Sequence, residues 1–334
     1  MFNQRMKIGL VAASMLTCIL APASQGQQTQ SDEVLRVMAW NVLHGANDVQ
    51  QGAEKTLAII QEHQPDIIMM QESYDIDGPR PELGKWLSQQ LGWSYWQSES
   101  PHLCILSPMK IDQEFFHHKW HGLGAKLTDA KGRSCLAWSI WLDYRSYITG
   151  NLRDTPGISD EELLAAEDVR SNRLQQVKAL LQAIKDQGQL EADIPLLVGG
   201  DFNTPSHLDW TIDTSRVYKN RRALPLPVSI QMHEAGFSDA YRTVHPNPVQ
   251  RPGITWSPMY RTSGGKDQGF ERIDRVYLKN PGGDANRWRL DPIRAFVLPQ
   301  EWEDETIPIL KRDFPSDHGA VVVDFRWTRS DQDQ

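Results

Sequence analysis

Short apolar runs alternate with polar stretches of helical spacing along this chain. Residues 34–42 form an apolar run that predicts a strand, residues 49–63 carry helical spacing, and residues 65–72 return to strand. A strand, a helix and a strand in this order predict a crossover unit with two parallel strands. Five later apolar runs predict further strands, at 103–111, 135–144, 194–202, 271–278 and 319–327.

The most regular helical pattern lies between residues 159 and 184. Ser159 and Glu162 have the spacing of a capping box, and apolar residues recur after them near helical spacing, which predicts one long helix. Residues 204–255 are rich in Pro and Trp and predict an irregular region. Because no repeat, linker or low-complexity run divides the chain, we expect a single α/β domain.

The first residues have the pattern of a secretory signal. Arg5 and Lys7 precede an apolar run at 8–20, and the small residues of Ala21-Pro22-Ala23 follow it. We therefore predict a signal peptide over 1–23, a mature chain over 24–334, and export to the periplasm or the extracellular space. The alternative is an N-terminal membrane anchor, but the run is short for a bilayer span, so we expect no stable membrane insertion after cleavage.

Composition and charge narrow the choice of partners. The formal net charge is −8, whereas a general nucleic-acid clamp needs a basic surface. A nucleic-acid partner is therefore not favoured, and we expect a monomer. Cys104 and Cys135 remain after the predicted processing. Two hypotheses stay open for them, a disulfide bond or a pair of buried thiols.

Polar side chains follow the apolar runs at the points where the predicted strands end. Side chains two apart in a strand share a face, so Asp201 and Asn203 point together. The other polar groups at strand ends are Asn41, Glu72, Asp274, Asp317 and His318. Ligands gather beyond the carboxyl ends of strands in open α/β sheets, and oxygen ligands suit a hard cation. The pattern predicts a shared site for Mg²⁺, with Mn²⁺ as the alternative.

Six segments resemble the endonuclease/exonuclease/phosphatase superfamily of metal-dependent phosphoesterases. They are "MAWNV", "PDIIMMQES", "VGGDFNTP", "ITWSP", "RIDRVYL" and "PSDHGAV", in the order found in that family and spread over residues 34–326. The resemblance implies a four-layer α/β/β/α sandwich, with two mixed β-sheets packed face to face between helices. It also implies a catalytic site at one end of the sandwich.

The resemblance implies a role for each matched residue at the metal. Glu72 would be a metal ligand, Asn41 would lie beside the metal or the phosphate, and Asp317 would lie close to the metal.

It also implies roles in the reaction itself. Asp201 would orient or deprotonate the attacking water, or protonate the leaving oxygen, and Asn203 would hold the phosphate. Asp274 would orient His318, which would contact the phosphate or act as a base. Water attack on a phosphoester needs such parts, because the nucleophile must be positioned and the developing charge neutralised.

One position departs from the family pattern. Many members of the deoxyribonuclease and sphingomyelinase branches have a histidine at the end of the strand before the long helix, and Trp141 stands at that place here. Tyr144 or Asp201 are candidates to supply the missing proton donor, and packing in the core is an equal alternative for Trp141.

Residues around the predicted site are candidates for substrate binding. The segment that follows the strand ending at Asp201 contains three candidates to bind phosphate, His207, Arg221 and Arg222. Tyr144 is a fourth candidate for substrate binding. The alternative for the arginines is a solvated basic loop. Arg173 and Gln176 match polar positions common in the family and would brace the sheet.

These observations predict an exported, divalent-metal-dependent hydrolase of phosphoester bonds, with a small or lipid-like substrate favoured. The alternative within catalysis is a secreted nuclease that cleaves DNA or RNA. The third hypothesis is a non-catalytic binding module on the same scaffold, and the complete set of catalytic residues argues against it.

Overall fold

The apolar runs become two mixed six-stranded sheets in the computed structural model of this protein. The structure describes residues 33–75, 81–219, 221–257, 262–263, 265–267, 269–283, 287–300 and 314–329. The first sheet has the order β13-β14-β1-β2-β4-β3. Its strands are β1 (Val34–Asn41), β2 (Ile67–Gln71), β3 (Ser94–Trp96), β4 (Cys104–Ser107), β13 (Trp288–Leu298) and β14 (Ala320–Arg329).

The second sheet has the order β5-β6-β7-β8-β12-β9, and β10 and β11 form a separate two-stranded ribbon. These strands are β5 (Lys110–His118), β6 (Gly122–Thr128), β7 (Ser134–Trp141), β8 (Leu196–Asp201), β9 (Ser238–Asp239), β10 (Thr262–Ser263), β11 (Lys266–Asp267) and β12 (Asp274–Lys279). Strands β1 and β2 pair in parallel, as do β7 and β8, and the other pairs are antiparallel.

The helices that the structure describes are α1 (Gly52–His63), α2 (Leu83–Leu91), α3 (Ile148–Asp154), α4 (Asp160–Leu164), α5 (Arg173–Asp186), α6 (Ile212–Val217), α7 (Pro227–Glu234) and α8 (Ala240–Val244). Short 3₁₀ turns lie at His44–Ala46, Ala165–Glu167 and Gln189–Glu191. Helices α1 and α2 pack on the first sheet, and α5 and α7 pack on the second. The predicted four-layer sandwich is confirmed.

The alternation of side chains along β1 explains the layers. Val37 and Ala39 pack between the two sheets, whereas Met38 and Trp40 pack under the helices of the first sheet. The sheets approach closely at Gly199, where a Cβ atom would lie 2.2 Å from the Met69 Cε atom. A larger residue at this position would therefore have to displace the end of the Met69 side chain where the two sheets meet, just before the polar end of β8.

Two of the predicted elements are wrong in part. The run at 103–111 is split between β4 and β5, in different sheets, because Pro108 has no N–H to continue a ladder. The predicted helix at 159–184 is interrupted between α4 and α5, although its capping box at Ser159 and Glu162 is confirmed. Ser171 Oγ donates to the Ala166 carbonyl at 2.6 Å, so a side chain satisfies the backbone at the break.

The structure differs from the sequence predictions in three further respects. The region 204–255 is partly helical, since it contains α6, α7 and α8. Strands β5, β6 and β13 were not predicted apart from the start of β5, and their sequences are rich in charged or glycine residues. Cys104 and Cys135 are free, buried thiols in different core layers, so the disulfide reading is wrong.

The predicted signal peptide over 1–23 lies outside the described residues and stays a prediction. Among the helices that the structure describes, none has the length and apolar character needed to cross a bilayer.

Candidate active site

The polar residues predicted from strand ends meet at one end of the sandwich. Asn41 ends β1 and Asp201 ends β8, and both continue the series of side chains that point between the sheets. Asp274 begins β12 and lies directly opposite Asp201 in the antiparallel register. His318 lies just before β14, the antiparallel neighbour of β1. The cluster therefore draws on both sheets.

Asp201 is held by two asparagines. Its Oδ1 accepts a hydrogen bond from the Asn203 backbone N–H at 2.8 Å, and its Oδ2 accepts from Asn203 Nδ2 at 2.9 Å and Asn41 Nδ2 at 3.1 Å. Burial, together with the negative charge of Asp274, raises the pKa of Asp201 to about 7. A carboxyl group with such a pKa exchanges protons readily near neutral pH.

The side-chain amide of Asn203 is engaged in hydrogen bonds within the protein, one of them to Asp201. Its side-chain amide also donates to the Leu142 carbonyl at 2.9 Å. Both amide hydrogens therefore have protein acceptors, and the geometry makes Asn203 a support for Asp201 rather than a donor held open for phosphate.

His318 and Asp274 form a buried dyad. His318 Nδ1 lies 2.9 Å from Asp274 Oδ2, while His318 Nε2 faces Asn41 Nδ2 at 3.4 Å and Asp317 Oδ1 at 3.9 Å. Burial opposes the charged imidazolium, but Asp274, Asp317 and Asp201 outweigh it and raise the pKa of His318 well above its usual range. The imidazolium can donate from Nε2 into the site while Asp274 fixes the ring.

Glu72 stands at the more open side of the cluster, directly after β2. Its Oε1 accepts from Asn41 Nδ2 at 3.0 Å, and its Oε2 accepts from the His44 backbone N–H at 3.2 Å. The residue adopts a left-handed backbone with φ 58°, which few non-glycine residues do. Asn41 thus links Glu72 to Asp201 through one amide group.

The carboxylates of this cluster fit a divalent cation. Within the part of the chain that the structure describes, the buried Oδ1 atoms of Asp274 and Asp317 receive no hydrogen bond. Burial, with the nearby charges of Glu72 and Asp274, raises the pKa of Asp317. Several buried carboxylate oxygens with few donors are the environment that a hard cation stabilises.

Two groupings of these residues offer ligand atoms. Asp201, Asp274 and His318 present theirs within 4.8 Å of one another. In that group the His318 and Asp274 atoms already share a hydrogen bond, so a cation there would have to displace it. Glu72 and Asp317, with Asn41 beside them, keep oxygen atoms for a cation without breaking the dyad, and we favour this second grouping.

The cluster forms the floor of a cleft of about 710 Å³. Aromatic rings make up much of its wall, and they belong to Tyr74, Trp141, Tyr144, Tyr147 and Trp256. Among the described lining residues, Arg153 carries the one guanidinium, and that group donates to Asp154 at 3.0 Å. The cleft therefore combines an acidic floor with apolar walls and little positive charge.

Of the four predicted substrate-binding residues, the structure brings only Tyr144 to the cleft. Tyr144 is 64% exposed and packs against Trp141. His207 instead pairs with Ser229 Oγ at 2.8 Å. Arg221 donates to the Phe270 carbonyl, and Arg222 donates to the Ile158 and Pro156 carbonyls. The expectation that these three overhang the cleft is corrected, because each is held by these contacts away from the cleft and none of them lines it.

Trp141 ends β7 beside Asp201 in the parallel register, so both side chains lie on the same face of the sheet. It lines the cleft and also packs against the core between the sheets, so the core alternative for Trp141 is confirmed in part.

Arg173 and Gln176 hold the loop that carries Tyr144. Arg173 Nη1 donates to the Asp143 carbonyl at 2.9 Å, and Gln176 Oε1 accepts from the Asp143 N–H at 2.8 Å. They therefore brace the rim of the cleft rather than the sheet.

Several lining residues were missed from the sequence. Tyr147, Arg153 and Asp154 come from α3 and the loop before it, where no periodic pattern indicated function. Trp256 donates from Nε1 to Asp317 Oδ2 at 3.1 Å, and its place in the matched segment "ITWSP" was the signal that could have identified it.

Glu271 predicts a measurable dependence of stability on pH. Burial raises its pKa from 4.5 to about 7, so the folded protein binds this proton more tightly than the unfolded chain does. Its contribution is fully present below about pH 4.5 and is lost as the pH rises to 7. Relative to Glu271→Gln, the parent should lose about 2–3 kcal/mol of unfolding free energy between pH 5 and 8. Urea unfolding of both proteins at both pH values measures this, and equal pH dependence would refute it.

The fold and the acidic, aromatic-walled cleft agree with the metal-dependent phosphoesterase expected from the sequence. A family model described as the endonuclease/exonuclease/phosphatase family matches residues 38–318, so the chain belongs to that family. Its members are divalent-metal-dependent phosphoesterases and nucleases, and the protein is an enzyme of this class.

The chain is also similar to individual proteins. The chain is 27% identical over 330 residues to "Uncharacterized protein F14F9.5" of Caenorhabditis elegans, covering 95% of this chain and 99% of the other. A humanized TDP2 from D. rerio has 16% identity and a TM-score of 0.55, covering 88% of this chain and 99% of that one. An endonuclease/exonuclease/phosphatase from Beutenbergia cavernae has 18% identity and a TM-score of 0.52, covering 88% and 72%. At these identities, the two solved structures support the fold.

Proposed function

We propose that the protein is an exported, Mg²⁺-dependent hydrolase of a small or lipid-like phosphoester. The observation that carries the proposal is the cleft, in which Glu72, Asp201 and the His318–Asp274 dyad share a floor beneath aromatic walls. Such walls suit an apolar or ring-bearing group esterified to the phosphate. The leader pattern over 1–23 supports export.

Each residue of the site has its own role in the proposed reaction. Asp201, held by Asn41 and Asn203, accepts a proton from the attacking water and can return it to the leaving oxygen. His318 donates from Nε2 to a phosphate oxygen, and Asp274 keeps the imidazolium oriented. Glu72 and Asp317 would hold the cation, with Asn41 beside it. When bound, the cation supplies neutralisation of the charge that develops on the phosphate.

A nuclease is the second candidate, and the aromatic walls are the observation in its favour, since bases stack on such rings. A D. rerio TDP2 structure complexed with single-strand DNA product shares the fold, at a TM-score of 0.55 and 15% identity. The small number of cationic groups among the described lining residues weighs against a long polyanion.

A substrate panel separates the two candidates. Phospholipids, sugar phosphates, aryl phosphodiesters and oligonucleotides would be assayed with Mg²⁺, and kcat/KM measured from 50 to 200 mM salt. We expect turnover of a small or lipid-like ester whose kcat/KM changes by less than about 3-fold, because few phosphates are neutralised by cations. Preference for oligonucleotides with a salt dependence above about 100-fold would favour the nuclease instead.

A further inference from the structure

His102 lies buried behind Glu72, two residues before β4. The Glu72 backbone N–H donates to His102 Nδ1 at 3.3 Å. On the other side of the ring, His102 Nε2 lies 3.2 Å from the Trp120 carbonyl oxygen. The imidazole therefore bridges the backbone of Glu72 and the loop between β5 and β6.

These two partners define the state of the ring. A backbone N–H can only donate and a carbonyl can only accept, so Nδ1 is the acceptor and Nε2 carries the proton. Burial lowers the pKa of His102 to about 4, which agrees with a neutral imidazole. The side chain has no accessible surface and serves no other polar partner among the described residues.

Glu72 depends on such an acceptor because its backbone is unusual. Its φ of 58° lies in the left-handed region, which costs about 1 kcal/mol or more for a residue with a Cβ atom. The Glu72 carbonyl accepts from the Gly45 N–H at 2.7 Å and the Tyr74 N–H at 2.8 Å. Its own N–H has His102 as its hydrogen-bond acceptor, so the imidazole completes the support of this peptide.

The same ring supports the aromatic wall. Tyr74 stacks on His102 at a centroid distance of 5.5 Å and an angle of 18°, and Trp141 meets it edge-on at 5.3 Å and 84°. Both rings line the cleft. One side chain thus contacts the backbone of Glu72 and two walls of the substrate space.

We propose that His102 is a positioning residue that holds the Glu72 carboxylate in the direction needed to bind the divalent cation. This inference rests on the proposed function only in taking Glu72 as a metal ligand. His102 itself contacts neither the cation nor the substrate.

Mn²⁺ binding to the full chain, followed by calorimetric titration, tests the proposal without an activity assay. His102→Phe keeps a ring for Tyr74 and Trp141 but removes the acceptor, and we expect the Kd for Mn²⁺ to rise about 10- to 100-fold. His102→Asn places Oδ1 near the position of Nδ1, so we expect its Kd within about 3-fold of the parent. His117→Phe, on edge strand β5, is the matched control and should bind as the parent does.

His102→Gln provides a second test should His102→Phe fail to fold. Its amide can donate to the Trp120 carbonyl but does not place an acceptor at the Nδ1 position, so it should bind Mn²⁺ as weakly as the phenylalanine variant. Parental affinity in folded His102→Phe or His102→Gln would overturn the proposal, as would equal weakening in His102→Asn.

Failure of the proposed function gives a different result. A parent that binds Mn²⁺ and shows this ranking of variants, yet hydrolyses no phosphoester, would refute the function and support the role of His102. A parent that binds no Mn²⁺ would overturn both.

Discussion

Asp201→Asn should lower kcat by about 10³-fold, the size of effect expected when a general base is removed. The substitution keeps the shape of the side chain and the contact to the Asn203 backbone, but the amide cannot take a proton from water. The pKa of Asp201 is raised to about 7, so the basic form accumulates as the pH rises through 7. The parental kcat should therefore rise over this range, and the residual kcat of the variant should not.

Steady-state rates from pH 5.5 to 8.5 measure both effects. Asp112→Asn, on the exposed edge strand β5, is the control for loss of a carboxylate elsewhere and should keep parental kcat. Retention of most of the parental rate in Asp201→Asn, with an unchanged pH profile, would remove Asp201 from the reaction.

His318→Ala should lower kcat by about 10²- to 10⁴-fold, because it removes the donor at Nε2. Asp274→Asn should have a smaller effect, since the ring remains but loses the partner 2.9 Å from Nδ1. Because His318 and Asp274 act as a unit, the double variant should be about as slow as His318→Ala alone.

Rates of the three variants, with thermal unfolding to establish that each is folded, measure this prediction. Multiplicative losses in the double variant would show that the two residues act independently. A folded His318→Ala protein with parental kcat would show that the dyad is structural.

The strand ends of the candidate site were predictable from the sequence because alternation in a strand fixes which side chains share a face. Asn41 and Asp201 follow this rule, and they meet where two sheets place their inner faces together. Glu72 follows its strand in a left-handed turn, yet the apolar run before it was enough to indicate its place.

The parts of the fold and the site that the sequence did not predict depend on contacts between residues far apart in the chain. Arg222 looked like a phosphate ligand, but its guanidinium binds carbonyls more than 60 residues away along the chain. The helical pattern at 159–184 gave no sign that Ser171 and Arg173 would capture the Ala166 carbonyl and break the helix. Local patterns carry no information about such partners.

The aromatic residues in the wall of the cleft could not be predicted from local sequence patterns either. Tyr147 and Trp256 come from distant segments and meet with ring centroids 4.9 Å apart. Residue type alone could not distinguish them from the many tryptophans and tyrosines that pack in the core. The reaction type was therefore more readable from the sequence than the substrate.

Hydrolysis at this cleft should depend on a bound divalent cation, and removing and then returning the metal shows whether it does. The rate of phosphodiester hydrolysis would be followed in the parent and in Asp201→Asn, first with a chelator and then after Mg²⁺ is returned in excess. We expect the chelator to abolish hydrolysis by the parent and Mg²⁺ to restore it, and we expect neither treatment to bring Asp201→Asn near the parental rate. Parental hydrolysis that continues unchanged in the chelator, or equal rates for the two proteins with Mg²⁺, would contradict this expectation.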